Sequence, residues 1–335
     1  MPTSPSGPAS PSDAASLPGT RSPSVTRVGI VMALASAATF GSSGPMAKAL
    51  LDAGWTAGAA VLVRLAGAAL VLGAVSLVLL HGRPWRPGRS SVQALVLYGV
   101  IAMAGTQLAF FNAVRTLDVG VALLLEFMAP VLLLTWSSVR TRRLPRPPTL
   151  VGAGLTLVGL AFVLDLTGTS SLDPVGVMWG LLAAGGLAGF FVLSGRQDAD
   201  LPPVVMAAGG TAVGAVVIAV AGTVGLVPLG FSVAPTVLAG ASTSWWVPAG
   251  WLVLVSTVAA YLTGIGAVRR LGSRSASFVA LTEVLFAVLV AWLLLAQLPG
   301  LPQLLGGICI ITGIVLIQRN QRISPPPTPA PVIDA

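Results

Sequence analysis

Two glutamates and one arginine lie inside apolar stretches of this sequence, where an ionisable side chain is costly. Glu126 occurs in the run GVALLLEFMAP, Glu283 in a second apolar run, and Arg64 between Ala60 and Leu70. A charged side chain at mid-bilayer depth costs about 2.5 kcal/mol or more, so such residues usually face a bundle interior or a wet cavity. Either glutamate can bind an amino group or carry a proton, and Arg64 can bind a carboxylate.

A structural interpretation of the same residues stays open. Arg64 can form an ion pair with Glu126, or it can lock helices together without touching a substrate. Removing one partner of a true buried pair would leave an uncompensated charge. The residue types alone do not separate the two roles.

Further polar side chains fall in the third and eighth apolar runs. Gln107 and Asn112, with Thr106, lie in the third, while Tyr261, with Ser256, Thr257 and Thr263, lies in the eighth. Taken singly, each is explained by hydrogen bonds between helices. As a set they predict a wet cavity in which Gln107, Asn112 and Tyr261 orient a ligand.

Prolines predict two interruptions of helices. Pro130 follows Glu126 by four residues and has no backbone N–H, so it opens the helix at the acid. Pro45 ends the polar stretch TFGSSGP and predicts a kink in the first run. In the second half, Val284 stands where the repeat would place a proline, which predicts that this segment lacks a helix breaker.

The chain has few of the side chains that catalysis commonly uses. The chain has one histidine, His81, and one cysteine, Cys309, so neither a metal site nor a pair of nucleophile and base is expected. No cofactor is expected. The net charge of +8 comes from arginines in short loops, which argues against nucleic-acid binding. We therefore predict that the protein is not an enzyme.

The composition indicates a membrane protein, with 55% hydrophobic and 8% charged residues. Crossing the hydrocarbon core takes about 20 apolar residues. Ten such spans are predicted, at residues 28–50, 56–80, 92–114, 120–139, 150–166, 174–194, 203–226, 247–268, 275–295 and 303–318. The fold class is an all-α membrane protein with the bilayer as its partner.

The basic residues orient these spans. Of the 18 lysines and arginines, fifteen fall on the side of the amino terminus, Lys48 and Arg115 fall on the other, and Arg64 lies within a span. The positive-inside rule then predicts a multi-pass membrane protein with both termini in the cytoplasm.

The chain also repeats itself. Residues 113–159 shifted by 154 positions match residues 267–313 without a gap, with eleven identical residues that include Arg115, Leu117, Pro145, Gly152 and Gly159. Five spans per half invert the second half relative to the first, as in many secondary transporters. The predicted domains are residues 27–167 and 174–318, between disordered tails at 1–26 and 319–335.

These features resemble the drug/metabolite transporter superfamily, in particular proteins with two EamA domains. The segment Gly120-Val-Ala with Leu125-Glu126-Phe127 and Pro130 is similar to the branch of bacterial threonine/homoserine exporters. The resemblance implies a secondary transporter of the bacterial inner membrane that exports small polar metabolites such as amino acids by alternating access. An uncoupled facilitator or channel, or a membrane-embedded enzyme, are the alternatives, and proton coupling is a further expectation.

Overall fold

The computed structural model describes residues 23–81, 88–142, 146–163, 172–194, 202–271 and 279–320. Most of the predicted tails, at residues 1–22 and 321–335, lies outside these ranges. So do several predicted loop arginines: Arg83, Arg86, Arg143, Arg196 and Arg274.

Over the described residues the chain forms ten helices, as the sequence predicts. They are α1 (Pro23–Gly41 and Ser43–Asp52), α2 (Ala57–Leu79), α3 (Arg89–Tyr98, Gly99–Gly105 and Thr106–Thr116), α4 (Val119–Glu126 and Ala129–Thr141), α5 (Pro147–Val163), α6 (Pro174–Ser194), α7 (Pro203–Thr223), α8 (Trp246–Val253, Leu254–Ala259 and Ala260–Leu271), α9 (Glu283–Leu295) and α10 (Leu301–Asn320). Six of them are long and apolar enough to cross a membrane, and the other four are shorter apolar helices.

Local signals set several of the helix starts. The hydroxyl of Thr56 accepts a hydrogen bond from the Ala59 N–H at 3.3 Å and caps α2. Helices α6 and α7 begin at Pro174 and Pro203, where a missing N–H costs no helical hydrogen bond. Before α6, hydrogen bonds from Thr116 and from the Val175 N–H hold the pKa of Asp173 below its usual range.

The main helix contacts join one half of the chain to the other. Helix α1 packs on α8, α2 on α7, α3 on α6, and α5 on α10. If each helix is replaced by its counterpart in the other half, the α1–α8 pair becomes the α6–α3 pair. The α2–α7 and α5–α10 pairs each map onto themselves. This pattern is that of two five-helix repeats related by an approximate twofold axis.

One face of the bundle is closed by the long connection between α7 and α8. It contains a hairpin of β1 (Thr236–Leu238) and β2 (Ala241–Thr243), with Thr236 paired to Thr243. We call this side the hairpin face. The α1–α2 connection also lies there, since Thr56 Oγ1 donates to the Pro228 carbonyl at 2.7 Å. The α3–α4 and α9–α10 connections meet there through Gln297, whose Oε1 accepts from the Val119 N–H at 3.2 Å.

Helix α4 is interrupted, and a turn precedes α9 at the equivalent point. In α4 the break falls at Phe127 and Met128, after Glu126 and before Pro130. Before α9, a turn at Leu281 and Thr282 follows the helical residues 279–280, and the shift of 154 residues places it on the break in α4. The expectation that the second half lacks a breaker, based on Val284, is therefore wrong. The Thr282 hydroxyl donates to the Val279 carbonyl at 2.6 Å, and this bond supports the turn without a proline.

Helices α3 and α8 contain matching wide turns. Residues Gly99–Gly105 and Leu254–Ala259 are π-helical, and the same shift of 154 residues superposes them. Such insertions free backbone groups from the regular ladder and are frequent at functional sites. Both halves thus direct an irregular helix toward the middle of the bundle.

Candidate functional site

A cavity of about 360 Å³ lies between the two halves. Ligand pockets commonly have volumes of this order or larger. Its lining comes from α1, α2, α3, α4, α6, α8, α9 and the residues just before α9. Its polar side chains are Ser43, Arg64, Tyr98, Thr106, Gln107, Glu126, Tyr261 and Glu283.

Arg64 is held in the cavity wall by hydroxyls and a carbonyl. Its Nε donates to Thr257 Oγ1 at 2.8 Å, one terminal nitrogen donates to Ser43 Oγ at 3.3 Å, and the other donates to the Ser256 carbonyl at 3.2 Å. The guanidinium carbon also lies 5.6 Å from the centroid of the Phe111 ring. A guanidinium has five N–H donors, so two remain for a ligand.

Neither glutamate forms a salt bridge with Arg64. Across the described residues the only ion pair joins Lys48 to Asp52, at 2.7 Å. Both Glu126 and Glu283 are half-buried and line the same cavity as Arg64. The cavity therefore presents one guanidinium and two separate carboxyl groups, an arrangement that suits a ligand carrying both charges.

The side-chain oxygen of Gln107 is a buried acceptor without a partner. Within the described residues it is the one buried side-chain polar atom that has no hydrogen bond. Burying such a group unpaired costs about 1–3 kcal/mol. A ligand N–H or O–H in the cavity would satisfy it.

Two tyrosines line the cavity from the wide-turn helices. Tyr261 Oη donates to the Met103 sulfur at 3.3 Å, and its ring packs edge to face on Phe40 at 5.2 Å. Tyr98 is buried against Phe190, with ring centroids 5.7 Å apart. The repeat places Tyr261 at the position of Gln107, so the two halves offer different polar groups at equivalent sites.

The structure does not bring every predicted residue to the cavity. Asn112 lies outside its lining, and its side-chain amide donates to the Leu108 carbonyl at 2.8 Å in its own helix. Pro130 and Pro45 lie shortly after the breaks in α4 and α1, the latter at Ser42. Gly41 allows α1 to approach α9 closely, because a Cβ there would lie 2.7 Å from the Glu283 carbonyl.

The sequence does not single out two residues of the cavity lining, Tyr98 and Ser43. It also does not predict that Thr257 accepts a hydrogen bond from Arg64. A signal existed for Tyr98. The chain has two tyrosines, and both occur in apolar runs at equivalent spans. Ser43 and Thr257 gave no comparable signal, because hydroxyls inside helices usually bond to the preceding turn.

The hairpin face is held together by contacts between the halves and by one contact within the second half. Trp55 packs on Phe231 at 5.3 Å and on Trp245 at 5.8 Å, and its indole N–H donates to the Ser232 carbonyl. At the tip of the hairpin, the Ala239 N–H donates to the Leu294 carbonyl at 2.8 Å. These contacts join the α1–α2 connection and α9 to the α7–α8 connection.

An irregular ten-helix bundle around a charged central cavity defines a class of membrane transport proteins. The model of the EamA-like transporter family matches residues 27–165 and again residues 174–319. The chain belongs to this family.

The relatives agree with this assignment. A protein of Salmonella typhimurium described as the uncharacterized inner membrane transporter YicL is 23% identical over 304 residues, which cover 89% of this chain and 97% of that protein. The threonine/homoserine exporter RhtA of Escherichia coli is 33% identical over 144 residues, covering 42% of this chain and 46% of RhtA. The latter match spans less than half of either protein.

A solved crystal structure has the same fold. It matches with a TM-score of 0.56 and 18% sequence identity, covering 91% of this chain and all of the matched chain. At this identity the likeness concerns the fold alone.

Proposed function

We propose that the protein is a secondary transporter that exports zwitterionic amino acids across the bacterial inner membrane by alternating access. The observation that carries this proposal is the separation of charges in one cavity. Arg64 is fixed by neutral partners, while Glu126 and Glu283 lie unpaired in the same space. An α-amino acid offers a carboxylate to the guanidinium and an ammonium to a carboxyl group.

Glu126 is the primary binding or coupling group in this scheme. The break at Phe127 and Met128, directly after Glu126, allows the two segments of α4 to move relative to each other. Glu283 begins α9 directly after the equivalent turn and supports it. With one base and two acids around the ligand, one carboxyl group remains free to carry a proton, and this makes proton coupling the favoured mode of energy supply.

The partial similarity to RhtA supports amino acids as the substrate class. That protein is described as a threonine/homoserine exporter. Both named amino acids carry a hydroxyl group, for which Gln107 and the two cavity tyrosines are suitable partners. Cytoplasmic termini follow from the excess of arginines on the side of the amino terminus.

Flux measurements in proteoliposomes test the proposal. We expect export of threonine or homoserine, and a rate that changes with pH. Replacing Glu126 by Gln should lower the rate about tenfold or more, since hydrogen bonds to charged groups contribute about 1.5–3 kcal/mol. Asp52→Asn is the control, because its pair with Lys48 is partly exposed and contributes little.

Two results would contradict this scheme. Equal rates for the native protein and Glu126→Gln across the range from about pH 5.5 to pH 8 would remove Glu126 from the mechanism. Transport that stops at equal concentrations and ignores an imposed proton gradient would indicate an uncoupled facilitator.

A further inference from the structure

A second recess opens on the lipid-facing side of the bundle, between α9 and α10, with the first segment of α4 as its third wall. We call it the lateral groove. Its volume is about 280 Å³, and it is bounded by apolar positions of all three helices: Val121, Leu124, Leu285, Val288, Gly307 and Ile308.

The lateral groove and the central cavity are separated by single helices. In α4, Val121 and Leu124 face the groove while Leu123 and Glu126 face the cavity. In α9, Val284 lines the groove directly beside Glu283, which lines the cavity. An occupant of the groove would therefore contact the same helix segments that carry the two acids.

The walls of the lateral groove suit a hydrocarbon chain. Leu285 and Ile308 leave 62% and 63% of their surface exposed on its rim. In a bilayer this surface faces lipid tails, so a chain can enter sideways without crossing water. The apolar lining offers no partner to a polar solute deeper in the groove.

The mouth of the lateral groove, at the hairpin face, is polar and carries one free acid. The amide oxygens of Gln297 and Gln303 are already occupied, by the N–H groups of Val119 and Gly300. Asp118 is exposed there, and in the part of the chain that the structure describes its carboxylate has no hydrogen bond or ion pair. A cationic group at the bilayer surface would complement it.

We propose that the lateral groove binds a phospholipid with a primary ammonium headgroup, one acyl chain lying between α9 and α10 and the ammonium beside Asp118. Asp118 disfavours a net anionic headgroup such as glycerol phosphate. A quaternary ammonium has no N–H to donate to the carboxylate. The bound chain packs against α4 and α9 and holds their spacing on the hairpin side.

Native mass spectrometry of the purified full-length protein tests this. The probes are phosphatidylethanolamine, phosphatidylcholine and phosphatidylglycerol with identical chains. We expect the ethanolamine lipid to be retained about threefold more than either of the others. Asp118→Asn should equalise the ethanolamine and choline lipids.

Filling the groove should release the lipid. A Cβ at Gly307 would meet only Leu124, at 3.5 Å, so Gly307→Leu extends into free space. We expect it to lower retention of the ethanolamine lipid about fivefold. Gly154→Leu is the matched control on α5, where a Cβ has no neighbour within 4 Å, and it should retain the lipid.

Leu304→Phe is a second filling variant and decides the question if Gly307→Leu fails to fold. Equal retention of the three lipids by the native protein would overturn the proposal. So would unchanged retention in the filled variants. Neither result bears on amino acid export, because the proposed transport residues lie in the central cavity.

Discussion

Arg64 Nε and Thr257 Oγ1 lie 2.8 Å apart and join the second helix of one half to the wide turn of α8 in the other. The Thr257 hydroxyl donates in turn to the Leu252 carbonyl, at 2.7 Å. Its proton is thereby committed, and its lone pairs face the guanidinium. The position of the cavity's basic group thus depends on the π-helical turn.

We predict that Thr257→Val weakens substrate binding without changing the charge of the cavity. The valine has nearly the same shape but leaves Arg64 Nε buried without an acceptor, at a cost of about 1–3 kcal/mol. The guanidinium then loses its fixed orientation. The expected result is a KM for amino acid export that rises about tenfold, measured in proteoliposomes.

Thr263→Val is the control for this change. Its hydroxyl bonds to the Ala259 and Ala260 carbonyls of its own helix. Because these bonds hold no cavity residue in place, the KM of Thr263→Val should match the native value. Similar losses in both variants would show that α8 tolerates no such substitution, and that Thr257 has no special role.

Gln107→Leu should stabilise the protein and weaken substrate binding. Removing the unpaired buried oxygen relieves a cost of about 1–3 kcal/mol, so the temperature of unfolding in detergent should rise. The substrate loses a hydrogen-bond acceptor, so its KM should increase about tenfold. Asn112→Leu, outside the cavity lining, should leave KM unchanged. A fall in stability of Gln107→Leu with native KM would refute the assigned role.

The sequence predicts the ten helices because each span is long and apolar, and it predicts the acids because a charge in such a span is rare. It misplaces Asn112 for a geometric reason. Met103, Thr106, Gln107 and Phe110 line the cavity at helical spacing, whereas Asn112 is five residues after Gln107 and therefore lies on another face.

Other features depended on the packed structure. The turn before α9 is supported by a side-chain bond of Thr282, which a search for prolines does not detect. The hydroxyl partners of Arg64 become apparent only when α1, α2 and α8 are assembled. The charges alone predict that Arg64 pairs with an acid. In the structure, hydroxyls and a carbonyl are the hydrogen-bond acceptors of its guanidinium.

The contact between α5 and α10 predicts where a single methyl group is harmful. The helices approach so closely that a Cβ on Gly159 would lie 2.6 Å from the Gly306 carbonyl, and the reverse distance is the same. Gly159→Ala and Gly306→Ala should each destabilise the protein by about 1–3 kcal/mol through overpacking. Thermal unfolding measures this.

Gly154→Ala provides the comparison for the glycine variants. It lies on the same helix with open space around it, so it should gain up to about 1 kcal/mol from helix propensity. If all three substitutions had the same effect, the close contact between α5 and α10 would not be a source of stability.

The hairpin should behave as a movable cover during transport. The Ala239 N–H and the Leu294 carbonyl are bonded at 2.8 Å, so the two backbones are adjacent at this point. Cysteines at both positions, in a Cys309→Ser background, should cross-link on oxidation. The proposed opening of the hairpin breaks this contact, so flux should fall to the background level and return after reduction.

The single-cysteine variants control for chemical modification and should keep their flux under oxidation. Ala239 also has a φ of 51°, which is unfavourable for a residue with a side chain. The turn of the hairpin is therefore strained, and Ala239→Gly should stabilise the hairpin by about 1 kcal/mol. Full flux through the cross-linked protein would mean that substrate leaves by a route that does not pass beneath the hairpin.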